Sequence, residues 1–221
     1  MPTPRKGYFT KAGEKVPGTT TIIGRFKDSG ALIQWAWKRG KDFPDEPLYQ
    51  TRDEAANIGT AAHAMVEASI RGTDPASAIA EYALDEKGRV KAESAHRAYL
   101  TWASMSHLEI VDQEMLLVSE EYRFGGTPDA IGRVNGELCL VDWKTSNGVY
   151  LDFLLQLAAY KHLWEVNHPD MPLTGGFHLC KFSKDHGDFA HHYYDELDDA
   201  WEMFKALRTA YEYDAKLKGR A

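Results

Sequence analysis

Apolar residues recur at helical spacing in the first half of the chain and give way to strand-like runs in the middle. The helical spacing predicts one helix over about 52–71 and a longer one over about 86–105, with Val90 and Trp102 on its apolar stripe. A strand-rich block follows over about 108–146. The pattern therefore changes from helix to sheet near the midpoint of the chain.

The first eighty residues also carry weaker patterns. Residues 7–23 contain the β-branched run TTTII, which predicts an extended segment. Asp28 or Ser29 is a suitable N-cap for a short helix that ends near Arg39, and another short helix is expected after Pro75.

The second half of the chain alternates between helix and strand. An almost wholly apolar helix is predicted over about 151–165, and two strands over about 175–182 and 188–194. A last helix is expected from near Asp195 to about Lys216, with acidic residues in its first turns, where the helix dipole favours them. This order predicts an α/β (α+β) fold in which a mixed central sheet is flanked by helices.

Composition is that of an ordinary globular protein. With 221 residues, 43% of them hydrophobic and 27% charged, the chain suits one domain, or one domain plus a small lobe. It contains no apolar run of the roughly 18 residues that cross a membrane and no signal-peptide core, so we expect a cytoplasmic protein without a membrane partner. Cys139 and Cys180 lack a CxxC partner and are expected to be buried, reduced thiols.

Charge is distributed unevenly along the chain. Residues 1–52 carry a net charge of +5, whereas the remainder carries −12, which gives −7 overall. The basic quarter is a candidate binding surface, although a solvated lobe would explain the same charges. Its tryptophans, Trp35 and Trp37, suit either the packed face of a short helix, which we favour, or stacking on unpaired bases.

A hairpin in the strand-rich block brings charged residues together. Asn135-Gly136 predicts a type I′ turn, because both central residues of that turn need positive φ. Counting outward from this turn places Asp129 opposite Asp142, with Lys144 on the same face of the sheet.

Two opposed carboxylates at the end of a buried hairpin have three interpretations. They could share a proton, form an ion network with Lys144, or hold a hard divalent cation. If the turn were shifted by one residue, the two aspartates would lie on opposite faces instead.

Two helices supply further polar candidates. His63 and Glu67 lie four residues apart and share a helix face, as do Gln156 and Tyr160 on the apolar helix that follows the hairpin. Alone, His63 and Glu67 are better explained by satisfied core or surface positions, and core packing is a strong alternative for Tyr160.

Together these segments resemble the PD-(D/E)XK nuclease superfamily. Pro128-Asp129 matches its PD element, and Asp142-Trp143-Lys144 matches its (D/E)XK element. GTAAH, which ends at His63, is similar to the GTxxH motif of the RecB-type branch, and QLAAY, residues 156–160, to its QxxxY motif. The basic N-terminal region is more loosely similar to phage-encoded and mitochondrial genome-maintenance exonucleases. The branch members with an iron–sulfur cluster use four cysteines, so two cysteines exclude that cluster.

The resemblance implies a restriction-endonuclease-like core that hydrolyses DNA phosphodiesters with Mg²⁺ or Mn²⁺. Asp129, Asp142, His63 and the backbone carbonyl of Trp143 would hold the metal, and Lys144 would act on water and phosphate. Gln156 and Tyr160 would orient the site. Secondary candidates are acidic residues on the helix predicted over about 52–71 and upstream of the hairpin, namely Glu67, Glu120 and Glu121.

The implied function is an exonuclease on single-stranded DNA or duplex ends, in phage or bacterial recombination, replication or repair. An endonuclease of the same fold and a non-catalytic DNA-binding module are the alternatives. Residues 1–54 would form a basic DNA-binding segment, and 55–221 the nuclease core. The candidate phosphate-binding residues of that segment are Arg25, Lys27, Lys38, Arg39, Lys41 and Arg52. Recombination or replication proteins of phage or host would be possible partners.

Overall fold

The computed structural model describes residues 7–45, 50–146, 148–182 and 189–219, without the side chains of 31–32 and 50–57. The helices are α1 (Thr19–Arg25), α2 (Gly30–Asp42), α3 (Gln50–Ile70), α4 (Pro75–Ala80), α5 (Glu86–Met105), α6 (Leu151–Asn167) and α7 (Asp198–Lys218). The strands are β1 (Tyr8–Phe9), β2 (Lys15–Val16), β3 (Glu109–Gln113), β4 (Leu117–Ser119), β5 (Phe124–Gly126), β6 (Ala130–Val134), β7 (Glu137–Thr145), β8 (Phe177–Phe182) and β9 (Phe189–Tyr194).

A five-stranded mixed sheet forms the centre of the protein. Its strand order is β3-β6-β7-β8-β9, and β7 and β8 are parallel while the other neighbours are antiparallel. Helix α6 connects β7 to β8, as a parallel pair requires a crossover. Two-stranded sheets, β1-β2 and β4-β5, lie outside this centre. The predicted mixed sheet is thus confirmed.

Alternate residues of β7 enter two different cores, which explains why helices cover both faces. Leu138 and Leu140 pack with side chains of α1, α6 and α7, whereas Cys139, Val141 and Trp143 pack with side chains of α3, α4 and α5. A strand that is buried on both faces needs apolar residues at nearly every position. Asp142 is the exception in the middle of this run, and it is 1% exposed.

Helix α1 lies where the sequence predicted an extended segment, so that prediction is wrong there. The TTTII segment forms α1 rather than an extended strand, because Ile22 and Ile23 are buried against the α6–α7 side of the sheet. Thr19 Oγ1 donates a hydrogen bond to the carbonyl of Gly125 at 3.0 Å. Tertiary burial overrides the weak β preference of this segment.

Three smaller predictions have clear outcomes. Cys139 and Cys180 are buried and free, as expected. Val90 is 48% exposed, so the apolar stripe of α5 does not include it, and the buried side is formed by residues such as Tyr99 and Trp102. None of the helices in the described part of the chain combines the length and the apolarity that a bilayer crossing needs.

Candidate functional site

The β6–β7 hairpin has the register that the Asn-Gly turn predicts. Asn135 and Gly136 have φ of 51° and 91°, and Val134 pairs with Glu137. The pairing continues to Ala130 opposite Val141, so Asp129 and Asp142 occupy the next opposed positions. The alternative in which the turn is shifted by one residue is wrong.

Asp129 is buried where β6 begins, and its carboxylate is held from two sides. Oδ2 accepts a hydrogen bond from the backbone N–H of Trp143 at 2.9 Å, and Oδ1 lies 3.5 Å from His63 Nε2. Burial alone would raise the pKa of Asp129, but Lys144, His63 and the Trp143 N–H together hold it below its ordinary value. Asp129 is therefore the charged carboxylate of the pair.

Asp142 is the other carboxylate of the pair, and its pKa is shifted upward, opposite to that of Asp129. Lys144 Nζ lies 2.5 Å from Asp142 Oδ2, and both side chains are mostly withdrawn from solvent. Burial, reinforced by the charge of Asp129, raises the pKa of Asp142 to about 7 even though Lys144 opposes that shift. Two buried carboxylates with one lysine thus retain an excess of negative charge near neutral pH.

Helix α3 places His63 beside this pair. Its Nδ1 lies 3.0 Å from Glu67 Oε1, one turn further along the helix, while Nε2 points toward Asp129. Burial lowers the pKa of His63, but Asp129 and Glu67 outweigh that effect and raise it to about 10. A histidine between two carboxylates supplies positive charge when no cation is bound.

Glu114 is a third acidic residue beside Asp129 and Asp142, and the sequence prediction did not include it. Glu114 follows β3, whose Gln113 pairs with Ala130, so Glu114 stands next to Asp129 in the register. Its φ of 52° lies in the left-handed region, which is uncommon outside glycine. Burial and the charge of Asp129 raise the pKa of Glu114 to about 7. Glu114, Asp129 and Asp142 therefore lie at opposed positions across β3, β6 and β7, and together they form the acidic row.

The donor atoms of this cluster suit a divalent cation. His63, Glu67 and Glu114 each offer one atom within 4.8 Å of the others. Among the described residues, His63 Nε2, Asp129 Oδ1 and Asp142 Oδ1 are buried without a hydrogen-bond partner. Buried polar atoms are normally paired, and carboxylate oxygens with an imidazole nitrogen are suitable ligands for Mg²⁺ or Mn²⁺. The residues present thus fit a metal site.

Gln156 and Tyr160 lie on the buried side of α6. Gln156 Nε2 donates a hydrogen bond to the Tyr160 hydroxyl at 2.8 Å. Burial raises the pKa of Tyr160 well above its ordinary value, and the charges of Asp129 and Asp142 add to this. The tyrosine is thus a neutral hydrogen-bonding group whose environment includes both aspartates. Gly126 makes room for its ring, because a Cβ there would lie 2.6 Å from Tyr160 Cε1.

Tyr8, on the N-terminal strand β1, contacts the segment that precedes Asp129. The Tyr8 hydroxyl lies 3.0 Å from Thr127 Oγ1, two residues before Asp129. The Tyr8 ring fits against Gly125, where a Cβ would approach within 2.4 Å of it. Burial, with a contribution from Glu114, raises the pKa of Tyr8. Sequence reasoning missed this contact, since nothing in the N-terminal pattern links Tyr8 to the hairpin.

The remaining sequence candidates lie elsewhere. Glu120 and Glu121 are exposed in the turn between β4 and β5, where Glu120 accepts a hydrogen bond from the Lys11 N–H, and neither joins the cluster. Arg25 and Lys27 form ion pairs with Asp214 and Asp152, respectively. Helix α2 carries Lys38, Arg39 and Lys41, while the side chain of Arg52 lies outside the described residues.

Comparison with solved structures finds exonucleases at low sequence identity. An alkaline exonuclease from Laribacter hongkongensis matches with 9% identity and a TM-score of 0.40, over 91% of this chain and 88% of that one. A candidate exonuclease from Eubacterium rectale matches with 12% identity and a TM-score of 0.38, over 90% of this chain and 76% of that one.

Comparison with known sequences gives two further results. No curated protein matches the chain. The family model of the PD-(D/E)XK nuclease superfamily matches residues 32–216, a span that includes the acidic row, Lys144 and the His63 helix. Nucleases of this superfamily use divalent metals, which agrees with the donor atoms gathered here. The chain belongs to the PD-(D/E)XK nuclease superfamily.

Proposed function

We propose that the protein is a Mg²⁺- or Mn²⁺-dependent deoxyribonuclease of the RecB-type branch, acting as an exonuclease on single-stranded DNA or duplex ends. The observation that carries this proposal is the set of buried atoms without hydrogen-bond partners, His63 Nε2, Asp129 Oδ1 and Asp142 Oδ1, beside a buried lysine. His63 Nε2 and Asp129 Oδ1 lie 3.5 Å apart, which is an ionic contact without a hydrogen bond. A purely structural ion network would be expected to hydrogen-bond all three atoms.

Asp129, Asp142 and His63 would hold the metal, with the backbone carbonyl of Trp143 as a further ligand. When bound, the cation would polarise the phosphoryl oxygen and lower the pKa of the attacking water. Glu67 and Glu114 each offer an oxygen within 4.8 Å of a His63 nitrogen, so they would bind the cation directly or through water. Asp142 and Glu114, which are partly protonated near neutral pH, and the protonated His63 would release protons when a cation binds.

Lys144 would act on the scissile phosphate. Its Nζ is held 2.5 Å from Asp142 Oδ2 and lies 5.6 Å from the centre of the Phe153 ring, so its position is fixed before substrate arrives. Asp142 and Asp129 outweigh the desolvation of the ammonium group and raise its pKa, which keeps it protonated. A fixed cation stabilises negative charge on the phosphate and orients a water molecule.

Gln156 and Tyr160 would orient the scissile strand. The hydrogen bond between them fixes the tyrosine hydroxyl, and the buried ring keeps water out of the α6 side of the cluster. Both groups are neutral, so they suit contacts to sugar or phosphate oxygens without adding charge to the acidic row.

The test is a nuclease assay on the full chain with Mg²⁺ or Mn²⁺ and end-labelled linear single-stranded, linear duplex and closed circular DNA. The proposal predicts degradation of the linear substrates, none with EDTA, and none with Asp142→Asn. The matched control is Glu120→Gln, which removes an exposed carboxylate outside the cluster. Folded wild-type protein that leaves all three substrates intact with either metal would contradict the proposal.

Two alternatives make different predictions in the same assay. Cleavage of closed circular DNA identifies an endonuclease of the same fold, because an exonuclease requires an end. DNA binding without cleavage, unaffected by Asp142→Asn, identifies a non-catalytic module. A division into residues 1–54 and 55–221, a cytoplasmic location in a bacterial or phage-infected cell, and recombination or replication proteins as partners stay predictions.

A further inference from the structure

Helix α2 presents aromatic and basic side chains to solvent. Ile33 is 67% exposed, Trp35 42% and Trp37 66%, and none of the described side chains of this helix is buried. The sequence expectation that both tryptophans pack into the core is wrong. Ile33 and Trp37 lie four residues apart and share a helix face, and large apolar side chains exposed together commonly mark a binding surface.

The two tryptophans are each followed by a cation one helical turn later. Trp37 precedes Lys41, whose Nζ lies 5.4 Å from the centre of a Trp37 ring, and Trp35 precedes Arg39, whose guanidinium lies 4.8 Å from the Phe43 ring. Residues four apart share a helix face, so Trp37 and Lys41 lie on one side of α2. Lys38, three residues before Lys41, lies on that side as well. Trp35 and Arg39 form a second pair, which points to nearly the opposite side because Trp35 and Trp37 are only two residues apart.

The N-terminal end of α2 adjoins the side of the protein where Lys144 lies. Lys27, three residues before α2, forms a 2.5 Å ion pair with Asp152 in the first turn of α6. The next residue, Phe153, lies under the Lys144 ammonium group. A strand bound along α2 would therefore lead toward the acidic row.

We propose that helix α2 binds an unpaired nucleic-acid strand, with a base stacked on Trp37 and phosphates paired with Lys38 and Lys41. An exposed ring beside two cations matches the base and the phosphates of a single strand, and stacking requires bases that are not already paired. This inference rests on the proposed nuclease function and deepens it, because it assigns single-stranded DNA as the preferred substrate.

Charge favours this occupant over a membrane. The residues after position 52 carry a net charge of −12, which an anionic bilayer would repel. A short strand threaded along one helix avoids most of that repulsion.

The experiment measures binding without cleavage. The full-length wild-type protein is titrated in EDTA into a labelled oligothymidylate and, separately, into a blunt duplex, with fluorescence anisotropy as the readout. Trp37→Ala is expected to weaken oligothymidylate binding by at least about fivefold, since each stacked base contributes about 1–3 kcal/mol. Trp37→Phe should retain most of the affinity, and duplex binding should change less than twofold in both variants.

Tyr213→Ala is the matched control. Tyr213 is 60% exposed on the acidic helix α7, and Lys216 lies 5.4 Å from its ring, so it reproduces the exposed ring and neighbouring lysine of Trp37. This variant should bind the oligothymidylate as wild type does. Unchanged circular dichroism melting of each variant shows that an exposed substitution has not altered folding.

Several results would overturn the inference. Equal oligothymidylate affinity of Trp37→Ala and Tyr213→Ala excludes a strand on the Trp37 side of α2. Tryptophan-dependent binding to anionic vesicles, or a dimer in light scattering that the tryptophan variants dissociate, assigns the helix to a bilayer or to a second copy instead. Because binding is measured in EDTA, α2-dependent binding by a protein without nuclease activity refutes the proposed function and leaves this inference standing.

Discussion

Buried polar side chains lie at two places in the protein, and they differ in whether their atoms are hydrogen-bonded. On β8, Nδ1 of the buried His178 lies 2.8 Å from Nε2 of the exposed His191, its own Nε2 lies 3.3 Å from the Gly175 carbonyl, and Trp102 packs on both rings. On β7, beside β6 and on α3, respectively, Asp142, Asp129 and His63 retain buried atoms without hydrogen-bond partners.

Under the proposed function, this difference distinguishes a structural residue, His178, from the candidate metal ligands. A buried polar group whose atoms are all paired contributes to a specific fold, whereas unpaired buried atoms cost free energy that a ligand recovers. Removing a member of the histidine pair should therefore lower stability, while removing a carboxylate from the acidic row should lower activity and leave stability unchanged or higher.

The largest expected effect is on cleavage by Asp142→Asn. Loss of this carboxylate removes a candidate metal ligand, and we expect nuclease activity to fall by at least about 100-fold. The folded-state pKa of Asp142, about 7, exceeds the ordinary value of 3.8, so its ionisation destabilises the fold as pH rises from about 4 through 7. In EDTA at pH 8 the variant should thus unfold at an equal or higher temperature than wild type. A large loss of stability would assign Asp142 to a structural ion network.

Gly126→Ala should affect both stability and activity. The added Cβ would lie 2.6 Å from the Tyr160 ring and 2.8 Å from Leu163 Cδ1, and neither side chain has space to move in the core. Overpacking of this kind costs about 1–3 kcal/mol of unfolding free energy, measured by urea denaturation. Gly24→Ala, on α1, meets no atom within 4 Å and is the matched control, which should retain full stability.

Glu114→Gln tests the third member of the acidic row. The side chain is isosteric but lacks the charge near Asp129, so we expect an activity loss of about tenfold, as for residues that support metal ligands. The optimal metal concentration should rise in the same assay. Wild-type activity and metal dependence in this variant would remove Glu114 from the site.

The smallest expected effect is on the pH dependence of the unfolding free energy, and it comes from His178. Burial, with the neighbouring His191, lowers the pKa of His178 to about 4 from the ordinary 6.5, so the folded protein requires the neutral ring. This contribution is complete above pH 6.5 and is lost as pH falls toward 4. Urea denaturation at pH 7 and pH 5 should show a loss of about 1 kcal/mol from this residue, allowing for its partial exposure. His178→Asn should reduce that difference while cleavage at pH 8 is unchanged.

The sequence predicted best the features that depend on short-range pattern. The Asn-Gly turn determines the positions of Asp129, Asp142 and Lys144, because a two-residue turn specifies the register of the strands that it joins. The spacing of His63 and Glu67 likewise follows from one helix. These residues could be placed on shared faces without knowledge of the tertiary structure.

Features that depend on contacts distant in sequence could not be predicted. Glu114 reaches the acidic row only because β3 pairs with β6 across a register shift between Ile110 and Asp112, which leaves no pattern in the sequence. The TTTII segment becomes helical because its isoleucines are buried by α6 and α7. Glu120 and Glu121 were plausible candidates for the same reason, since spacing alone does not show which acidic residue the sheet brings to Asp129.

Calorimetric titration of Mg²⁺ or Mn²⁺ into the full-length protein near pH 7 tests the central claim most directly. The account predicts saturable binding to wild type and to Glu120→Gln, with none to Asp129→Asn or Asp142→Asn. The measured heat should also change with the ionisation enthalpy of the buffer, because Asp142 and Glu114, with pKa values of about 7, release protons on binding. Equal binding by wild type and both aspartate variants, or none by folded wild type, would contradict a metal site at the acidic row.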